Sequence, residues 1–181
     1  MNRLKFTLKA WPVIAAATIG LCFLTQGVAK LFGIDLPDQE NIAVVRKCLE
    51  HMFDSPKYFY TCMALFAQVL VLLPMIEEFV FRYLLFMLPV RLLTRHLPAS
   101  LQKGTMPAYV IAASVVIPSS VLFSAAHYIA QPFPDDAFLA LFFFGLAQCW
   151  LYSKTDRIWC PMLNHGLFNL TNLVLLFVVP D

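Results

Sequence analysis

The sequence is 181 residues long, 60% hydrophobic and only 13% charged, with a formal net charge of +2 and a mean hydropathy of +0.73. Soluble domains carry about 25% charged residues; a disordered chain needs low hydrophobicity, and a water-soluble globule needs more polar surface than this composition supplies. Nucleic-acid binding is excluded on charge grounds, because no dense Lys/Arg cluster is present.

What remains is an all-α, polytopic membrane bundle of about five or six spans at roughly 20 residues each. Residues 1–181 are expected to form a single membrane domain. The first apolar segment covers about residues 10–33. Arg3, Lys5 and Lys9 precede it, and Gly27-Val28-Ala29 loosely imitates a cleavage site. The run from Trp11 to Leu24 is long for a signal peptide and the rest of the chain is itself apolar, so a retained first span is expected. Residues 34–57 are the most polar part, with Asp35, Asp38, Glu40, Arg46, Lys47, Glu50 and Asp54. Within them Ile42, Val44, Val45 and Leu49 predict a short amphipathic helix on the membrane surface.

The second apolar segment runs from Tyr58 to Leu93, broken only by Pro74, Glu77, Glu78, Arg82 and Pro89. As one helix it would be about 54 Å long, against a hydrocarbon core of about 30 Å. It is therefore either one long tilted helix or two helices meeting near Pro74. After a basic, acid-free loop (Arg91, Arg95, His96, Lys103) come segments at about 106–130, 137–153 and 158–179. They are joined by the acidic turn Gln131–Asp136 and the turn Lys154–Arg157. Trp11, Trp150, Trp159, Tyr58 and Tyr60 fall near segment ends, where an interfacial aromatic belt belongs.

The Lys/Arg bias orients the chain. With Arg3, Lys5 and Lys9 in the cytoplasm and residues 58–93 crossing once, every basic loop is cytoplasmic and 34–57 lies outside. Cys22, Cys48, Cys62, Cys149 and Cys160 are an odd set without a CxxC pair; four lie in or beside apolar runs, where a free cysteine behaves as a small hydrophobe, and no zinc or disulfide framework is expected.

In hydrocarbon an ionisable side chain is a site hypothesis by default. Glu77, Glu78, Arg82, His127, His165 and Asn169 are the polar residues singled out inside the apolar runs. Glu78 and Arg82 are four apart on one helix face and form an ion pair. Glu77 lies about 100° around the helix, without a local partner, and is the candidate general base. Phe123 and His127 share a face, as do His165 and Asn169. Each histidine taken singly is an ordinary packing residue. Six such residues on three segments are most simply satisfied in one polar pocket. A carboxylate with a histidine can activate water, and a second histidine with an Asn carboxamide can hold an oxyanion. A rival use of Glu77, His127 and His165 is a zinc site with an open position, although the His-Glu-x-x-His spacing is absent and Asn is a poor zinc ligand.

Three motifs then carry a resemblance. Glu77-Glu78-Phe-Val-Phe-Arg82 resembles the EExxxR motif of the CAAX protease and bacteriocin-processing (Abi) family of intramembrane proteases. Phe123-Ser-Ala-Ala-His127 resembles its FxxxH motif, and His165-Gly-Leu-Phe-Asn169 its HxxxN motif. Residues 144–156 also look like the helix and turn that precede the third motif. The resemblance spans about residues 70–175; Tyr83 departs from the Gly of many members without removing a chemical group. It implies a glutamate-type peptidase with no metal cofactor, zinc being the alternative. Glu77 and His127 would activate water, His165 and Asn169 would stabilise the oxyanion, and Glu78, Arg82 and Phe123 would support them. It further implies a small prokaryotic member in the plasma membrane, cutting membrane-anchored tails or leaders of small proteins. A non-catalytic immunity or partner-binding membrane protein is the other class that such motifs allow.

Overall fold

The computed structural model describes residues 2–33, 40–95, 106–130 and 136–178. The acidic turn 131–135, the basic residues His96 and Lys103, and Asp35 and Asp38 lie outside the described residues. Among those described there are six helices and no strand: α1 (Arg3–Leu31), α2 (Glu40–Glu50), α3 (Pro56–Arg95), α4 (Met106–Ala130), α5 (Asp136–Thr155) and α6 (Trp159–Val178). Helices α1 and α3, with Tyr109–Ile129 of α4 and Ala137–Thr155 of α5, are long and apolar enough to cross a bilayer. Helix α6, at 20 residues, is also of spanning length, but Asn164, His165, Asn169 and Asn172 make its first two-thirds polar.

Helix α1 is capped by Asn2, whose side chain accepts from the Lys5 N–H at 3.2 Å. It buries Thr7, Ala10, Ile14, Ala15 and Thr18 against α5 and α6. Small residues dominate that face, which lets helix backbones approach closely in lipid. Its Ala10, Ile14 and Ala15 join Phe123, Phe144, Leu151, Cys160 and Phe168 in one apolar cluster.

Helix α3 resolves the choice left open by Pro74: it is one continuous helix of 40 residues, about 60 Å long at 1.5 Å per residue. Ser55 caps its start, and Pro56 occupies the first turn, where a missing N–H does no harm. It stays continuous because the backbone widens, in two stretches at Gln68–Leu72 and Phe79–Met87. Just ahead of Pro74, the Leu73 N–H reaches back five residues to the Gln68 carbonyl.

A tight turn sets where α6 begins. Asp156 takes the left-handed conformation (φ 52°) after α5, its N–H bonded to the Tyr152 carbonyl at 2.7 Å. Its carboxylate pairs with Arg91 near the end of α3, and Arg3 Nε donates to the Thr155 carbonyl at 2.9 Å. Arg3, Arg91 and Arg157 thus gather at one end of the bundle, in keeping with a single crossing by α3.

At the other end α2 folds back on the start of α3 through a Cys48–Cys62 disulfide with a Cα–Cα distance of 5.8 Å. This corrects the expectation that all five cysteines are unpaired. Fourteen residues separate the two, and only the reversal of the chain through residues 51–55 brings them together. Cys22, Cys149 and Cys160 form no disulfide, and the last two are buried.

Candidate active site

Glu77 and Glu78 are sequence neighbours, so the helical twist sends them to different places. Glu78 points into the bundle and is wholly buried with Arg82; its Oε2 lies 3.1 Å from Arg82 Nε. The Arg82 Nη groups have no hydrogen-bond partner among the described residues. The guanidinium carbon instead sits 4.3 Å above the Phe123 ring, a cation–π contact that compensates in a desolvated setting. Glu78 Oε1 faces His165 Nδ1 at 2.9 Å. A carboxylate held by a guanidinium accepts, so Nδ1–H donates and the imidazole is fixed with Nε2 outward.

Glu77 is the less buried acid, its side chain 22% exposed. Its Oε2 lies 3.6 Å from His165 Nε2 and 3.8 Å from His127 Nε2. Both are too long for direct hydrogen bonds. His127 Nδ1 donates to the Phe123 carbonyl at 2.9 Å, one turn back on α4, so its neutral form also presents a bare Nε2. Phe123 is fully buried and links the parts: its ring centroid is 4.5 Å from that of His127 and 6.0 Å from that of His165. Phe144 packs edge-on to His165 at 5.1 Å from the other side.

Three of the four residues predicted to do chemistry, Glu77, His127 and His165, therefore converge, with Glu78, Arg82 and Phe123 behind them. His127 is near the end of α4 and His165 near the start of α6. They come together at Glu77 of α3, which both Nε2 atoms approach within 4 Å. Asn169 is placed differently. Its Nδ2 donates to the Val69 carbonyl of α3 at 2.9 Å.

Gly166, on the same face of α6, makes this approach possible. A Cβ there would sit 2.5 Å from the Leu70 carbonyl oxygen, a backbone atom that has little freedom to move. Gly166→Ala is expected to lower stability by about 1–3 kcal/mol, read as a lower melting temperature of the detergent-solubilised protein.

Three supporting residues were not singled out from the sequence. Gln148 Nε2 donates to Asn164 Oδ1 at 3.0 Å, both fully buried, and this bond ties α5 to α6 one residue before His165. The available signal was their type: a carboxamide in an apolar helix needs a partner much as a charge does. Ser119 likewise donates to the Phe81 carbonyl, joining α4 to the second widened stretch of α3.

Glu77, His127 and His165 are chemically suited to zinc. Among the described residues, however, no group of three or more His, Cys, Asp or Glu side chains is arranged to hold a metal ion.

No curated protein and no solved structure matches the chain. A family model does: that described as type II CAAX prenyl endopeptidase Rce1-like matches residues 59–171, a stretch that contains every site residue named above. With all three motifs inside the matched region and well over half of the chain covered, this multi-pass membrane protein belongs to the Rce1-like family of type II CAAX prenyl endopeptidases.

Proposed function

We propose that the chain is an intramembrane endopeptidase that hydrolyses a peptide bond near the membrane-anchored tail or leader of a small protein, without a metal and without a covalent intermediate. The observation that carries this reading is the convergence of two imidazole Nε2 atoms on one carboxylate oxygen, at 3.6 and 3.8 Å. Glu77 and His127 both present acceptors, so the reactant that joins them is one with two O–H donors, water.

In the reaction, Glu77 takes a proton from water as the water oxygen bonds to the scissile carbonyl carbon. The developing oxyanion is held by His165 Nε2–H and by the second amide proton of Asn169. His165 gives this bond as the imidazolium, its Nδ1–H staying on Glu78. Collapse of the tetrahedral intermediate breaks the C–N bond, and Glu77 returns its proton to the leaving amine.

The whole chain acts as one membrane unit in this reading. Its basic end, with Arg3, Arg91 and Arg157, faces the cytoplasm of a prokaryotic cell. The Cys48–Cys62 disulfide at the opposite end supports the same orientation, because disulfides persist on the oxidising side of the membrane.

The test uses purified protein in liposomes with an internally quenched, prenylated CAAX-type peptide and its unprenylated twin. Cleavage is expected, with His127→Ala and His165→Ala each reducing kcat/KM by about 100-fold or more. Full activity in a well-folded His165→Ala protein would overturn the mechanism. A strong chelator is expected to leave the rate unchanged. Inhibition reversed by added zinc would replace this mechanism with a metal-dependent one.

A further inference from the structure

We infer that Pro74 is a positioning residue for the reaction, acting through Val69 and Asn169; this rests on the reading of Asn169 as an oxyanion donor. Proline has no N–H, so wherever it sits inside a helix one carbonyl of the preceding turn loses its donor. Which carbonyl depends on the winding. Immediately before Pro74 the helix is wound i→i−5, with the Leu73 N–H on the Gln68 carbonyl. One residue on, the same step runs from position 74 to the Val69 carbonyl, and there Pro74 has nothing to donate.

In lipid an unsatisfied carbonyl is costly and finds a partner on a neighbouring helix. Here the Val69 carbonyl receives Asn169 Nδ2 at 2.9 Å. Asn169 therefore supplies the proton that Pro74 lacks. The approach is pinned three residues earlier on α6, where the absence of a side chain at Gly166 admits the Leu70 carbonyl. Pro74 is itself buried, three residues before Glu77.

The consequence is for the orientation of the carboxamide. An Asn side chain with no fixed acceptor rotates about two torsions. With one amide proton committed to Val69, the plane of the amide is set and the direction of its second proton with it. The device acts in both directions: the helix defect needs Asn169 to be satisfied, and Asn169 needs the defect to be oriented. Pro74 touches neither substrate nor water and works only by withholding a proton from Val69.

Pro74→Ala returns the N–H, which then competes with Asn169 for the Val69 carbonyl. In the liposome assay with the prenylated peptide, kcat is expected to fall at least tenfold, with KM and the melting temperature unchanged or the latter raised. The matching control places an α-hydroxy acid analogue of alanine at position 74, so that an ester oxygen replaces the N–H; kcat is expected to return to the parental value. A kcat for Pro74→Ala within twofold of the parent overturns the proposal. So does an ester variant as slow as Pro74→Ala, because the proline ring and not the missing N–H would then be responsible.

A second readout does not depend on turnover. With a ¹³C label on the Val69 carbonyl, Asn169→Ala should shift its infrared band in the parent but not in Pro74→Ala. A shift of equal size in both overturns the proposal. Asn169→Ala in the parent serves as the separate check on the underlying mechanism. If it retains full kcat, the oxyanion role is wrong whatever Pro74 does; if it is inactive while Pro74→Ala is fully active, only the positioning proposal falls.

Discussion

Glu77→Gln is expected to lower kcat by about 10³-fold while the protein reaches the membrane at the parental level and melts at the parental temperature. Glutamine keeps the volume of glutamate and removes its ability to take a proton. The Glu77 side chain is part-exposed and makes no short ion pair among the described residues, His165 Nε2 lying 3.6 Å away. The substitution therefore strands no buried charge. The neighbouring Glu78→Gln makes the contrast. It disturbs a fully buried pair and should lower stability as well as rate. If a well-expressed Glu77→Gln protein cleaves the prenylated peptide at the parental rate, Glu77 is not the base.

Arg82→Leu is expected to produce the largest loss of stability of any single substitution at the site, about 3–5 kcal/mol. Glu78 and Arg82 are both fully buried, 3.1 Å apart. Removing the cation leaves a carboxylate in a low-dielectric interior beside His165, and it also removes the group stacked on Phe123. Little monodisperse protein should survive detergent extraction. The double variant Glu78→Gln with Arg82→Leu should recover much of the loss, because a pair replaced together leaves no charge behind. Recovery of monodisperse protein and its melting temperature read both arms. A double variant less stable than Arg82→Leu alone would show that the pair is not what stabilises this region.

The fold was legible in the sequence where local rules suffice. The apolar segments at 106–130 and 137–153 correspond closely to α4 and α5, since composition and length determine a span. The pairing of Glu78 with Arg82 was legible because four residues on a helix are neighbours, and so was the isolation of Glu77. The convergence of His127 and His165 was expected from the cost of polar groups in lipid, but how a residue near the end of α4 and one near the start of α6 reach the same carboxylate is tertiary geometry that no local pattern encodes. Pro74 left two alternatives open, since the choice between a broken and a widened helix is made by its neighbours. Asn169 shows the same limit. Its residue type marked it for the site, but its bond to Val69 exists only because of a backbone defect on another helix. The Cys48–Cys62 pair was missed for a similar reason, being created by a chain reversal outside the apolar segments.

Helix α1 lies wholly outside the family match of residues 59–171, yet it packs into the same cluster as Phe144 and Phe168, the rings behind His165. In water, uncovering those rings would carry a large penalty. In a bilayer, acyl chains would cover them almost as well as α1 does. What holds α1 in place is then close fit along Thr7, Ala10, Ala15 and Thr18, the indole N–H of Trp11 on Thr171 at 3.2 Å, and Arg3 on the Thr155 carbonyl. Its attachment is a matter of shape and two polar contacts rather than of apolar burial. A bulky side chain at Ala10 would thus leave α1 as an intact span, tethered to but no longer seated on the other helices, with lipid rather than protein behind the Phe144 ring that packs on His165.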